Sequence, residues 1–90
     1  MVKKGFALMN ENQQYLYFEQ VDHTEIEVHS TPNDYEAHLF NTIEEADHEG
    51  NSIMLRNGNW NYRVSHDDMP VAIAEVTIMT HTEEIKRLNR

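Results

Sequence analysis

The sequence predicts an α+β fold, an antiparallel sheet of about five strands with one main helix packed on one face. Two observations lead to this class. Apolar and polar residues alternate with a period of two through most of the chain, and helical spacing appears in one stretch, which begins at Thr42. Because 90 residues provide one modest core, a single globular domain is expected over residues 1–90.

The first two strands are expected to form a β-hairpin. An apolar run at residues 6–9 ends in a polar stretch at residues 10–12, which is typical of a turn. The run at residues 15–21 is rich in aromatic residues and has high strand propensity. A loop of roughly four residues would then join the two strands.

The third strand shows the clearest alternation. Ile26 and Val28 are predicted to face the core, and the polar residues around them to face solvent; these are Glu25, Glu27 and His29. Pro32 ends the strand, because proline cannot donate a hydrogen bond to a neighbouring strand.

The helix begins after Thr42, which has the spacing of a capping box with Glu45. One apolar face follows at helical spacing and comprises Ile43, Ala46, Gly50, Ile53 and Met54. The sequence leaves two alternatives for the C-terminal end of the helix. The helix either continues to about Arg56, or it stops at Gly50 and a hairpin through residues 57–58 follows. The longer helix is favoured, because a helix of two turns would bury too little surface.

Two further strands complete the predicted sheet. Alternate positions within residues 60–64 share one strand face. Residues 71–79 are the most apolar segment and predict a central strand covered on both sides, with a partner such as Arg63 balancing its lone charge, Glu75. Residues 82–90 are expected to form a short amphipathic tail, helical or frayed.

Charge is distributed unevenly along the chain. The sequence has 16 acidic and 7 basic residues, and no lysine or arginine lies in residues 5–55. Such a surface attracts basic proteins and repels nucleic acid and anionic membranes. The chain has no cysteine, no signal-peptide pattern and no apolar run of membrane-spanning length, so a cytoplasmic protein is expected.

No motif for catalysis or for a cofactor is present. Residues 65–68 read Ser-His-Asp-Asp, but contiguous side chains point apart, so the stretch is interpreted as a turn rather than a triad. The isolated glycines form no phosphate-binding loop. We therefore expect a protein that is not an enzyme and that uses no cofactor.

Histidines and carboxylates at alternate positions are candidate metal ligands. An acid-acid-histidine spacing on alternate residues occurs twice, in Glu25, Glu27 and His29 and again in Asp34, Glu36 and His38. Side chains two apart on a strand are separated by about 6.6 Å, too far to share one ion without a ligand from another strand. The sequence therefore predicts no metal site.

Residues 35–46 contain the pattern A-x-x-F-x-T-x-E-E-A, here from Ala37 to Ala46. This resembles a segment of small, mostly uncharacterised proteins from phages and prophages of Gram-positive bacteria. In those proteins a hairpin precedes the pattern and a short aromatic strand follows the helix. The resemblance covers about half the chain. The chain departs from the pattern at residues 50–52 and in the long apolar strand after Pro70. It implies the fold and a mobile-element origin, and it transfers no site residue.

In size and acidity the chain also resembles anti-CRISPR and other anti-defence inhibitors. The leading hypothesis is therefore a non-enzymatic inhibitor in a host bacterial cell that binds a basic, nucleic-acid-handling surface of a host defence protein. The expected contact residues are acids, with Tyr17 or Trp60 as an aromatic anchor; the acids are Glu25, Glu27, Asp34, Glu36, Glu44, Asp47 and Glu49. No direct contact with nucleic acid or membrane is expected.

Two alternatives stay open. The first is a self-associating accessory domain, a homodimer built through residues 71–79 or the tail. The second is a small metal- or ligand-binding protein. The leading hypothesis depends on whether folding brings the acidic residues onto one side.

Overall fold

Five strands form one sheet in the order β4-β3-β2-β1-β5, and one helix packs against it. The structure is a computed structural model that describes residues 2–79, so the predicted tail at residues 82–90 lies outside the described residues. The strands are β1 (Val2–Met9), β2 (Tyr15–Gln20), β3 (Glu25–Thr31), β4 (Asn61–Arg63) and β5 (Ala72–Met79), and the helix is α1 (Ile43–Leu55). Short 3-10 turns lie at Asp34–Glu36 and His66–Asp68. The predicted α+β class is confirmed.

The sheet is mixed rather than wholly antiparallel. The pairs β1–β2, β2–β3 and β1–β5 are antiparallel, whereas β4 runs parallel to β3, with Tyr62 opposite Ile26. Two parallel neighbours cannot be joined by a tight turn and need a long crossover, which α1 and its flanking loops supply here. The prediction of an antiparallel sheet is therefore wrong for β4.

β5 lies at one edge of the described sheet, so the predicted central position of residues 71–79 is wrong. Its apolar character has another cause. α1 packs near one of its faces, and the turn Asp34–Glu36 packs near β5 as well. Val76 is buried on the face that lies away from α1. Glu75 pairs with Lys4, Nζ to Oε1 2.8 Å, and not with Arg63, because β4 is at the opposite edge.

β1 and β2 pair only beside their turn, at Met9 and Tyr15, and then diverge. Residues 38–40 fill the opening between them. The backbone of Phe40 exchanges two hydrogen bonds with Phe6 of β1, at 2.8 and 2.9 Å. The predicted hairpin is therefore confirmed only near its turn.

The inserted segment also contacts β2. The backbone N–H of His38 donates to the carbonyl of Leu16 at 3.1 Å, and the rings of Phe18, His38 and Phe40 pack against one another. Leu39 meets Gly5 on the face away from α1. The chain thus passes from one side of the sheet to the other through the opening between β1 and β2.

The core lies between α1 and the inner face of the sheet. Residues directly opposite each other on paired strands share a face. The buried residues on the inner side are Leu8, Leu16, Val28 and Tyr62 from the strands, with Ala46 and Ile53 from α1. Ile26 and Val28 face this side, as predicted. The opposite face of β2, β3 and β4, here called the outer face, carries Tyr15, Tyr17, Glu19, Glu25, Glu27, His29, Asn61 and Arg63.

α1 has the longer of the two predicted extents. The hydroxyl of Thr42 accepts the backbone N–H of Glu45 at 3.1 Å, which confirms the cap, and Glu45 in turn accepts the N–H of Asn41 at 3.2 Å. The helix ends at Leu55, and Arg56 caps it in a left-handed conformation with φ of 52°.

The predicted apolar face of α1 is too wide. Ala46, Gly50 and Ile53 are buried, but Ile43 and Met54 are exposed. A Cβ on Gly50 would lie 3.2 Å from Cδ2 of Leu8, so the helix approaches the sheet closely at this glycine. Helical spacing puts Ile43 and Met54 on one flank of that contact, outside the interface.

Candidate functional site

The residues predicted to contact a partner do not form one surface. Tyr17, Glu25 and Glu27 lie on the outer face of the sheet. Glu44, Asp47 and Glu49 lie on α1, which packs on the inner face. Asp34 and Glu36 lie in the 3-10 turn that packs near β2 and β5. The acidic stretch is therefore divided between two sides of the molecule.

Two members of the predicted set, Trp60 and Glu49, contact residues on the inner side of the sheet. Trp60 packs against the core. Glu49 accepts a hydrogen bond from the hydroxyl of Tyr62 and so links α1 to β4. Burial raises the pKa of Tyr62 above its usual range, and the carboxylate of Glu49 raises it further by holding the hydroxyl proton. Trp60 and Glu49 are therefore engaged within the fold.

A groove of about 290 Å³ lies between α1 and the start of β5. It is lined by Leu8, Asp47, Gly50, Asn51, Met54, Pro70, Val71, Ala72 and Ile73. Met54 and Val71 are 53% and 62% exposed, although both are large apolar residues. The flank of α1 that the sequence pattern placed in the core thus forms one wall of a surface groove.

Asp47 is the acidic residue that lines the groove. Two more acids, Glu44 and Glu45, occupy the first turn of α1, where the helix dipole favours anions. No lysine or arginine lies within Ile43–Leu55, and Arg56 follows at the end of the helix. The groove therefore combines exposed apolar side chains with negative charge.

The outer face brings together three side chains that could hold a metal ion. Glu19 and Glu27 are paired directly across β2 and β3. The Nε2 atom of His29 lies 3.5 Å from Oε2 of Glu19 and 3.9 Å from Oε1 of Glu27. Tyr17, opposite His29, stacks on the imidazole with ring centroids 5.3 Å apart. Strand β2 thus supplies the additional ligand that β3 alone lacks.

The register that brings these groups together is fixed by the loop between β2 and β3. The carboxylate of Asp22 accepts the backbone N–H groups of Thr24 at 2.8 Å and Glu25 at 2.9 Å. The hydrogen bonds from Thr24 and Glu25 lower the pKa of Asp22, since they favour its charged form. Glu19 was missing from the predicted contact set. Once the loop at Asp22 is recognised, the strand register that it sets pairs Glu19 with Glu27.

Three other predictions concern residues 34–38, residues 65–68 and Arg63. Asp34 and Glu36 lie in one 3-10 turn and His38 in the inserted segment, so the second acid-acid-histidine spacing does not form a strand face. Residues 65–68 form a turn, as predicted, with the hydroxyl of Ser65 donating to Asp68 at 3.2 Å. Arg63 forms an ion pair with Glu25 on the outer face.

Over residues 2–79 the fold defines the class of this protein: a mixed five-stranded sheet with one α-helix on its inner face. No protein-family model matches the sequence, and no curated protein or solved structure shows significant similarity to it. The resemblance of residues 35–46 to phage proteins stays a prediction. Within residues 2–79, no helix has the length and apolar character needed to cross a membrane.

Proposed function

We propose that this protein is a non-enzymatic binding protein whose groove between α1 and β5 binds a basic, amphipathic segment of a partner protein. One observation supports the proposal above all. Exposed Met54 and Val71 border an apolar groove beside Asp47, on a helix that carries no lysine or arginine. Exposed apolar side chains gathered at one place and bordered by polar groups are typical of interaction sites.

The proposed partner is a protein that handles nucleic acid. Such proteins present clusters of lysine and arginine that normally contact phosphates, and an acidic surface competes for the same groups. The acidity of the chain and the resemblance of residues 35–46 to phage proteins support a proposed role as an inhibitor of a host defence protein in a bacterial cell. Of the predicted contact residues, Asp47 lines the groove, and Glu44 lies three residues before it on α1.

The charge on the groove is tested by two double variants with equal changes in net charge. E44Q/D47N removes carboxylates on α1, and E27Q/E36Q removes carboxylates that lie away from α1. Each variant is used to capture proteins from a nuclease-treated bacterial lysate at low and at high salt. We expect E44Q/D47N to lose a basic partner that the wild-type protein and E27Q/E36Q retain. Equal retention by both variants would contradict the proposal.

The apolar part of the groove is tested without any change in charge. M54S/V71S replaces the two exposed apolar side chains of the groove with polar ones. V21S is the matched control, because Val21 is an exposed apolar residue in the loop between β2 and β3. We expect capture of the same partner to be lost with M54S/V71S and kept with V21S. Capture that is insensitive to M54S/V71S would place the contact elsewhere.

Self-association is a second candidate, favoured by the edge position of β5. The backbone N–H and C=O of Phe6 bond to Phe40, on the side of β1 away from β5. Even-numbered residues of β1 therefore do not bond to β5, and the β5 residues opposite them direct their N–H groups to the open edge. Thr77, opposite Lys4, is one of these residues. An edge strand of this kind can pair with a second copy about a two-fold axis. Sedimentation should then show a dimer that T77P disrupts, and a monomer at every concentration would exclude this candidate.

A further inference from the structure

We propose that Glu19, Glu27 and His29 form a binding site for a zinc ion on the outer face of the sheet. The site is independent of the proposed function, because the groove lies beside α1 on the inner side. It unites one imidazole nitrogen with two carboxylates from adjacent strands, and their ligand atoms all lie within 4.8 Å of one another. β2 contributes Glu19, and β3 contributes Glu27 and His29.

The distances are close to those that one zinc ion requires. Zinc binds histidine nitrogen and carboxylate oxygen at about 2.0–2.2 Å in tetrahedral geometry, so ligand atoms around one ion are about 3.3 Å apart. The Nε2 atom of His29 lies 3.5 Å from Glu19 and 3.9 Å from Glu27. All three ligand atoms lie within 4.8 Å of one another, and rotation about the three side-chain bonds of each glutamate would bring them around one ion.

The Nε2 atom of His29 points to a ligand independently of the spacing. This atom is buried from solvent and has no hydrogen-bond partner. Its distances to the two carboxylates exceed those of a hydrogen bond, and buried polar atoms in proteins are almost always satisfied. A metal ion between His29 and the carboxylates would occupy its lone pair. Tyr17 holds the imidazole plane by stacking on it at 5.3 Å.

The charge around the site also favours a cation. Glu19 and Glu27 stand directly opposite each other, and like charges in that position destabilise an antiparallel pair. Arg63 lies opposite Glu27 but forms its ion pair with Glu25. Among the side chains that the structure describes, His29 is the basic group within ion-pair distance of both glutamates. A divalent ion would neutralise the pair and bind neutral His29.

The mixed set of ligands selects zinc over the alkaline-earth ions. Imidazole and carboxylate together suit zinc and other first-row transition ions, whereas magnesium and calcium prefer oxygen ligands alone. Three protein ligands leave a further coordination position for water. That position would face solvent, since the side chain of Glu19 is 65% exposed.

Isothermal titration of the tag-free full chain with zinc chloride tests the site. We expect one zinc ion per chain and no comparable binding of magnesium. E19Q, E27Q and H29Q should each weaken zinc binding by at least about ten-fold, because even residues that only support a ligand typically contribute that much. The control is H23Q, in the exposed loop between β2 and β3, which should keep the wild-type affinity.

A spectroscopic measurement identifies the coordinating atom. The protein has six histidines, so long-range ¹H–¹⁵N spectra with and without zinc should show the Nε2 resonance of His29 shifting alone. Circular dichroism verifies that each variant is folded. Three results would each overturn the proposal: no zinc binding by the wild-type chain, zinc affinity unchanged in H29Q, or zinc shifts shared equally among the histidines.

Discussion

Gly5 of β1 lies so close to Leu39 that a Cβ on Gly5 would stand 2.8 Å from the Cβ of Leu39. The same atom would lie 3.0 Å from the carbonyl oxygen of Phe40. Phe40 cannot withdraw freely, because its backbone exchanges two hydrogen bonds with Phe6. The absence of a side chain at Gly5 is therefore a condition for the passage of residues 38–40 between β1 and β2.

Gly5→Ala is expected to lower the free energy of unfolding by about 1–3 kcal/mol, because the added methyl group overpacks a contact that includes fixed backbone. Gly50→Ala is the matched control. A Cβ there would approach only the movable end of Leu8, at 3.2 Å, and alanine favours a helix by about 1 kcal/mol relative to glycine. Urea unfolding of both variants checks this, and an equal or larger loss in Gly50→Ala would contradict it.

Asn10→Ala is expected to destabilise the protein by about 2 kcal/mol, since it leaves two partly buried N–H groups without an acceptor. Asn10 is 2% exposed; its side-chain oxygen accepts the N–H groups of Asn12 and Gln14 at 3.0 Å, and its amide donates to Asp68 at 3.2 Å. Asp68→Ala removes only the last of these contacts to Asn10 and should have a smaller effect. Thermal unfolding compares the two, and similar losses would show that the bonds within the turn contribute little.

Tyr62→Phe is expected to lower stability by about 1 kcal/mol, because it removes the hydrogen bond to Glu49 that joins β4 to α1. Glu49→Gln keeps an acceptor at the same place and should lose less. A double-mutant cycle of Tyr62→Phe with Glu49→Ala measures the coupling between the two side chains. Strictly additive losses would show that the bond does not contribute to stability.

Protonation of Asp22 at low pH should break the hydrogen bonds of the loop between β2 and β3, and the midpoint of this titration should lie at an unusually acidic pH. The pKa of Asp22 lies below its ordinary value of 3.8 in the folded protein, so its carboxylate stabilises the loop above that value. The stabilisation is lost as the pH falls through the lower, folded-state pKa. The amide ¹H shifts of Thr24 and Glu25 should follow this transition.

The variant D22N serves as the control, because its side-chain oxygen still accepts hydrogen bonds but does not titrate. The amides of Thr24 and Glu25 should then remain unchanged over the same pH range. A midpoint at or above 3.8 in the wild-type protein would contradict the prediction.

Local patterns predicted the elements of this fold better than their arrangement. Thr42 and Glu45 identified the start of α1, and Ile26 and Val28 identified the inner face of β3, because caps and alternation are decided by residues close in sequence. The order of strands depends on contacts between distant residues, on which a period of two gives no information. The edge position of β5 was therefore missed.

The candidate sites show the same limit. The flank of α1 that includes Met54 has the spacing of a core face, and only the approach of the helix at Gly50 shows that it lines a groove. Glu27 and His29 were recognised as neighbours on one strand, whereas Glu19 comes from the strand beside them. A ligand set that spans two strands requires the register between them, which the loop at Asp22 fixes.

The inserted segment has a consequence for the order of folding. Adjacent strands such as β1 and β2 can close into a hairpin within about 1–10 μs, much faster than distant parts of a chain usually meet. A hairpin that closed along its whole length would shut out residues 38–40, because these occupy the space between the two strands. In the native structure the pairing stops near Met9 and Tyr15, so a hairpin that had closed further would have to reopen before Phe40 could bond to Phe6.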